Sequence, residues 1–409
     1  MSAADYSHHL PDSRYAWMRL VASLVVGTMA CAGIWTVVVV IPTVQEEFGT
    51  GRAGASLPYT LMMVGFGAGT ILMGRVADRT GMVVPIIASA LMLGVGYVLA
   101  GLAGSLTSFA LVHGLLIGTG AAAGFGPLMA DVSHWFVKRR GLAVVLAACG
   151  SYFAGTLWPL VMNWAIPQWG WRATHVGIGI AIVVVMLPVA LMFRAQPAKA
   201  TLADAETASD AARADLGLSP GALQGLLVIA GLSCCVAMSM PQVHIVAYCN
   251  DLGYGVARGA EMLALMLGLG VVSRVLSGFL ADRIGGPGTL AVGSFMQAVA
   301  LLLYLFFNGL SSLYVISAIF GLFQGGIVPM YAVIAREFLP PREAGLRIGL
   351  IISATIAGMA VGGYLSGVIF DYTASYRMAF LHGFLWNLLN LALAGWLWWK
   401  RLGPRLATA

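Results

Sequence analysis

Gly74-Arg-Val-Ala-Asp-Arg-Thr-Gly81 returns as Gly278-Phe-Leu-Ala-Asp-Arg-Ile-Gly285, 204 positions later in a chain of 409 residues. Each copy sits between two long apolar stretches, so the chain reads as two equivalent halves. Two further echoes fall at nearly the same offset. Gly124-x-x-Pro127 with Phe136 matches Gly326-x-x-Pro329 with Phe338 at 202, and Trp171-Arg172-Ala173 resembles Tyr376-Arg377-Met378 at 205. One matching octapeptide is compatible with chance; three matches in corresponding segments indicate an internal duplication. Many membrane carriers build a site at mid-membrane from such halves and open it alternately to either side.

Composition places the halves in a bilayer. Sixty per cent of the residues are hydrophobic and 9% charged, against roughly 25% charged in a soluble domain. Apolar runs of about 20 residues, the length that spans hydrocarbon, centre on twelve segments: 20–41, 54–76, 83–103, 108–132, 142–165, 174–193, 222–249, 259–281, 288–308, 311–335, 347–370 and 378–399. In lipid these are helices, because a closed barrel shows short alternating strands instead. The expected fold is an all-α membrane protein of twelve transmembrane helices in two pseudo-symmetric six-helix bundles. A cytoplasmic tail (1–18) leads into the first bundle (19–194). A polar linker (195–220) joins it to the second bundle (221–400), and a short tail (401–409) ends the chain.

The net charge is +6, and the distribution of cations carries more information than the total. With the N-terminus inside, most Lys and Arg fall in cytoplasmic loops and tails; Arg52, Arg172, Arg258 and Arg377 fall outside, and Arg274 is left within a segment. That asymmetry sets both termini in the cytoplasm of a multi-pass protein of the inner (plasma) membrane. It also accounts for the basic pI without nucleic acid. No cleavable signal peptide is evident. The five cysteines lie in or at the ends of apolar segments without zinc-ligand spacing. No phosphate-binding loop or nucleophile–base pair is visible, which argues against an enzyme, an ATP-driven pump or a cofactor.

The repeated loop has a physical rationale. Glycine permits a tight turn between helices, Asp accepts from a helix N-terminus, and Arg bridges to an acid at another helix end. Asp78, Arg79, Asp282 and Arg283 then form a cytoplasmic clasp, made in one conformation and broken in the other. Asp131, near the end of the fourth segment, is expected to partner Arg75 or Arg79. The alternative is that these charges anchor the loops at headgroup level.

These paired loops, the twelve segments and the central linker resemble the major facilitator superfamily over essentially the whole chain. Trp135-Phe-Val-Lys-Arg-Arg-Gly-Leu-Ala143, continuing to Gly150-Ser151, is similar to the signature at the start of the fifth helix in the monocarboxylate transporter group. Pro241-Gln-Val-His-Ile-Val-Ala-Tyr-Cys-Asn-Asp-Leu-Gly253, followed by Arg274, resembles bacterial members of that group and their oxalate/formate-antiporter relatives. The acidic-Gly-aromatic signature of the first helix survives only as Gly33-Ile-Trp35.

Arg274 is the sharpest single residue. It lies eight positions before Asp282, about 12 Å of helix, and a cation at that depth costs at least ~2.5 kcal/mol unless a partner or water receives it. No Asp or Glu occurs in the apolar cores, whereas a guanidinium fork fits an anionic carboxylate. The resemblance agrees, since in this family the eighth-helix arginine binds the substrate carboxylate. Otherwise Arg274 snorkels or caps carbonyls. His244 and Tyr248 share a face one turn apart. His244 is a candidate for proton coupling or a hydrogen-bond donor to a neighbouring helix, and Tyr248 for substrate contact. The resemblance implies a cavity lined by the first, fourth, seventh and tenth helices. Thr28, Cys31 and Trp35, and Gln324, Val328 and Tyr331, sit there at helical spacing. Thr28, Trp35, Gln324 and Tyr331 are the substrate-binding candidates among them, with interhelical contact as the competing role.

The expected function is a secondary active transporter of a small organic acid, a monocarboxylate, working by alternating access with proton symport, as a monomeric functional unit in the lipid bilayer. The alternatives are an organic-anion exchanger driven by a counter-anion, or a carboxylate receptor that does not transport. A drug or cation exporter is disfavoured by the missing membrane-core carboxylate.

Overall fold

The computed structural model describes residues 12–136, 140–195, 217–339 and 344–407. The linker between 196 and 216, the Val137-Lys138-Arg139 centre of the fifth-helix signature, and the extreme tails lie outside the described residues. So does the side chain of Asp78.

Helix dominates because an apolar segment in hydrocarbon must satisfy its backbone internally. Ten helical stretches among the described residues are long and apolar enough to cross a membrane. Two of them, Leu142–Phe193 with 52 residues and Val256–Phe306 with 51, would each exceed 75 Å as one helix, roughly two and a half times the hydrocarbon thickness. Each is broken by a glycine in the left-handed region, Gly170 (φ 73°) and Gly285 (φ 81°). Counting each as two crossings gives the twelve-helix architecture.

The duplication is written into the backbone as well as the sequence. Positive φ angles occur at Gly49 (58°), Gly81 (75°) and Gly170 (73°). They recur 204 positions on at Gly253 (80°), Gly285 (81°) and Ala374 (51°). The last glycine of each octapeptide therefore ends its helix in the same turn, with ψ of 178° at Gly81 and 168° at Gly285. A left-handed turn is nearly free for glycine and costs an alanine roughly 1–2 kcal/mol, so Ala374 is strained where its partner Gly170 is not. The helix starts match too. Ser13 caps Ala16 N–H at 3.3 Å and Ser219 caps Ala222 N–H at 3.2 Å, each satisfying one orphan donor.

The fourth and tenth spans are irregular. The fourth runs Leu106–Val112 as α-helix, loosens to a π-turn at His113–Gly118 and tightens to a 3-10 turn at Ala122–Gly124. It breaks at Phe125 (φ −129°, ψ −86°) before restarting at Gly126–Trp135. The tenth only loosens, into a turn at Gly325-Gly326 between Leu310–Gln324 and Ile327–Phe338, where both glycines keep near-helical angles (φ −59°, ψ −35° and φ −82°, ψ −14°). Both irregularities fall on the repeated Gly-x-x-Pro motif, where the proline begins the second half-helix and cannot donate back into the first.

The chain divides into two compact units. The first contains Met1–Lys199 and Val243–Val271, and the second Ala200–Gln242 and Val272–Ala409. In the first, Arg19 is almost fully buried and meets Asp131 through two bonds of 2.7 Å, Nε to Oδ2 and Nη2 to Oδ1. Its guanidinium also lies 4.8 Å from the ring centres of Trp135 and Phe193. Asp131 therefore partners Arg19, not Arg75 or Arg79 as the sequence suggested; both of those arginines are exposed. In the second unit, a polar chain joins four spans without charge. Tyr331 donates to Ala230 O (3.1 Å) and Asn390 Oδ1 (2.7 Å), and Asn390 Nδ2 donates to Ser294 Oγ (2.8 Å).

Candidate functional site

Arg274 sits eleven residues before the Gly285 break, about 16 Å along its helix, and only 4% of it is exposed. It is held at the turn in the tenth span. Its Nε–H donates to Gly325 O at 3.2 Å, and the adjacent Ser273 Oγ accepts from Gly326 N–H at 3.1 Å. The eighth and tenth spans are thus joined by two bonds to backbone groups at the turn, one of them the Gly325 carbonyl that Pro329, four residues on and without an N–H, leaves unused. The approach is close enough that a side chain at Gly326 would collide with Ser277.

The residue before the turn, Gln324, is fully buried and accepts from Gln242 Nε2 at 2.8 Å. Arg274 and Gln242, from the eighth and seventh spans, therefore bond to adjacent residues of the tenth span, Gly325 and Gln324, in the second unit. A guanidinium offers five donors in a planar fork, and a primary amide both donates and accepts. A guanidinium of this kind is able to bind a carboxylate by parallel N–H bonds to its two oxygens.

The first half supplies an internal control. The position 204 residues before Arg274 is Thr70, whose hydroxyl is spent on Phe66 O (2.8 Å) within its own helix. Thr70 abuts Gly126, just past the break in the fourth span, so its place in the bundle corresponds to that of Arg274. The duplicated scaffold is complete without a cation there. Arg274 is an addition in one half only, at a depth where an uncompensated charge is expensive.

The whole chain matches known proteins on the same terms. The family model described as Major Facilitator Superfamily matches residues 23–315 and 275–408. The chain belongs to the major facilitator superfamily. It is 27% identical to monocarboxylate transporter 13 of Bos taurus over 392 residues, covering 92% of this chain and 88% of that protein. With monocarboxylate transporter 4 of Gallus gallus it shares 24% identity, covering 91% and 80%. Among solved structures, a bacterial homologue of the human lysosomal transporter Spinster, described as inward-facing and unoccupied, superposes with a TM-score of 0.74 at 16% identity. The match covers 95% of this chain and 98% of that one. This facilitator is a multi-pass membrane transporter related to the monocarboxylate transporters.

The other expected site residues of this facilitator fall into distinct places. Gln324 directly precedes Gly325, whose carbonyl accepts from Arg274. Tyr331, two helical turns further along the tenth span, is fully buried with its hydroxyl engaged by Ala230 and Asn390. Trp35 and Thr28 belong to the first unit. The Trp35 indole donates to Ser151 O at 2.8 Å, the Thr28 hydroxyl to Leu24 O at 2.8 Å, and Thr28 O accepts from Trp158 Nε1 at 3.0 Å. All three bonds tie helices or turns together. His244 and Tyr248 are buried in the first unit, not the second. Asp282, Arg283 and Arg79 are exposed. All five cysteines are buried and none is in a disulfide.

Gln242 is the residue that sequence reasoning missed. It directly follows Pro241 in the motif already quoted for the seventh segment, and a buried amide beside a mid-span proline was the available signal.

Proposed function

We propose that this carrier is a secondary active transporter of a small monocarboxylate, and that Arg274 receives the carboxylate with Gln324 and Gln242 taking part. The observation that carries the reading is the buried Arg274 at the Gly325-Gly326 turn of the tenth span, where the duplicated half has Thr70 at the equivalent sequence position. The relation to monocarboxylate transporters supports the same substrate class. The carrier works as a monomer by alternating access in the plasma membrane, with both termini cytoplasmic, as the cation asymmetry implies. The loop residues Asp78, Arg79, Asp282 and Arg283 act as a clasp that is fastened in one state only. Exposure of Asp282 and Arg283 fits its unfastened form.

Proton symport is the preferred coupling, with His244 as the titrating group. One observation favours exchange as the second reading. The sole acid of the eighth span, Glu261, is bound to Arg258 by bonds of 2.9 and 3.2 Å and lies 13 positions before Arg274, about 20 Å of helix, so the span places no carboxylate beside Arg274 to carry a coupling proton. Uptake of labelled monocarboxylates into proteoliposomes separates the two. Symport predicts uptake that accelerates under an inward proton gradient with buffer alone inside. Uptake that ignores the gradient and requires an internal counter-anion makes the carrier an exchanger. No uptake, with retained binding, makes it a receptor.

A further inference from the structure

The first span carries a groove on its flank that the transport site does not use. On the helix Arg14–Ala30, the residues Trp17, Met18, Val21 and Val25 repeat at helical spacing and present one apolar face. Val189 and Met192, from the end of the sixth span, form the opposite wall, and Arg14 stands at the mouth. The groove has a volume of about 450 Å³ and is open to one side. Two contacts tie its walls to their neighbours. Tyr15 Oη donates to Met192 O at 2.6 Å across the two helices, and the Trp17 ring packs edge-on against Phe136 with centroids 5.0 Å apart.

Its dimensions and charge point to one class of occupant. From Arg14 to Val25 is eleven residues, about 16 Å of helix, close to half of the ~30 Å hydrocarbon thickness and so to the depth of one leaflet. The walls beyond Arg14 are apolar, as an acyl chain requires. The mouth is cationic. Arg14 lines it and is exposed, Arg194, two residues past Met192 of its wall, is exposed as well, and Arg19, one turn beyond Arg14, is neutralised by Asp131. The first turn of the helix adds its own positive end. We propose that this groove is a binding site for an anionic phospholipid, with the headgroup phosphate at Arg14 and one acyl chain lying along Val21 and Val25.

The test uses the full-length protein, purified in detergent and offered phosphatidylglycerol or phosphatidylcholine of identical chains, with retained lipid read by native mass spectrometry. Wild type should retain phosphatidylglycerol in preference to phosphatidylcholine. Arg14→Gln should weaken phosphatidylglycerol retention about five-fold, the effect of one basic side chain near a lipid phosphate, and leave phosphatidylcholine unchanged. Val21→Trp fills the groove from a position that is 59% exposed, so it should expel both lipids while the circular dichroism melting curve stays in place. Equal retention of the two lipids by wild type, or wild-type retention in both variants, overturns the proposal. Displacement of the lipid by glycerol phosphate at equal concentration also overturns it, because the site would then recognise a free phosphate.

Discussion

Arg52 and Asp251 meet at 2.6 Å in the first unit, joining the start of the second span to the end of the seventh. The pair departs from the duplicated pattern. Asp251 lies 204 positions after Glu47, and Glu47 bonds to Arg172 at 2.6 Å and to Trp171 Nε1 at 2.7 Å. The repeat alone would give Asp251 to Arg377, which is exposed instead. On the orientation proposed above, the Arg52–Asp251 bond holds the outer end of the seventh span against the first bundle. Removing one partner of a fully buried pair costs about 3–5 kcal/mol, and breaking an exposed pair costs about 0–1. Here the side chains are 4% and 31% exposed, which sets the loss near 2 kcal/mol, or roughly thirty-fold in the ratio of opened to closed ends. Cys249 reports it directly, being buried two residues before Asp251 with its sulfur 3.4 Å from that of Met262. In protein carrying Cys249 as its one thiol, Asp251→Asn or Arg52→Ala should raise the rate of labelling by a membrane-impermeant maleimide about thirty-fold. The paired swap Arg52→Asp with Asp251→Arg should restore most of the protection. Labelling of both single variants at the wild-type rate would refute the latch.

Three further outcomes follow from the same geometry. Asp131→Asn leaves the Arg19 guanidinium buried beside Trp135 and Phe193 and should cost about 3–5 kcal/mol, read as an earlier thermal transition in detergent; a transition within a degree of wild type would show that the pair contributes nothing. Ala374→Gly relieves an exposed left-handed alanine and should stabilise by about 1 kcal/mol, whereas destabilisation would mean that the turn is not strained. If His244 carries the proton, His244→Gln should flatten the rise of uptake with falling external pH and leave carboxylate affinity unchanged; an unaltered pH profile would reduce it to a buried structural side chain.

How much of this was legible in the sequence differs between backbone and side chains. The octapeptides located the turns at Gly81 and Gly285, because a left-handed turn demands glycine whatever packs around it. Gly124-x-x-Pro127 and Gly326-x-x-Pro329 were legible as echoes, but that both would disturb their spans was not, since Gly and Pro are tolerated in continuous membrane helices too. Partners were harder. A helix that is apolar all round carries no stripe that fixes its rotation, so nothing in the sequence aimed Asp131 at Arg19, 112 residues away, or Gln242 at Gln324, 82 away. Arg274 stood out for the opposite reason. Its depth is set by the linear distance to a recognisable turn, which requires no knowledge of rotation.

The central claim is that Arg274 binds the substrate's carboxylate, and equilibrium binding to purified protein tests it most directly. Titration of a short monocarboxylate, once uptake has named one, should give saturable binding to wild type, a weak remnant for Arg274→Lys and none for Arg274→Ala. Lysine keeps the charge but loses the planar fork, so the order of the three is itself part of the expectation. Each variant must first show wild-type elution and helical content, which separates lost binding from lost folding. Wild-type affinity in a folded Arg274→Ala protein would contradict the account.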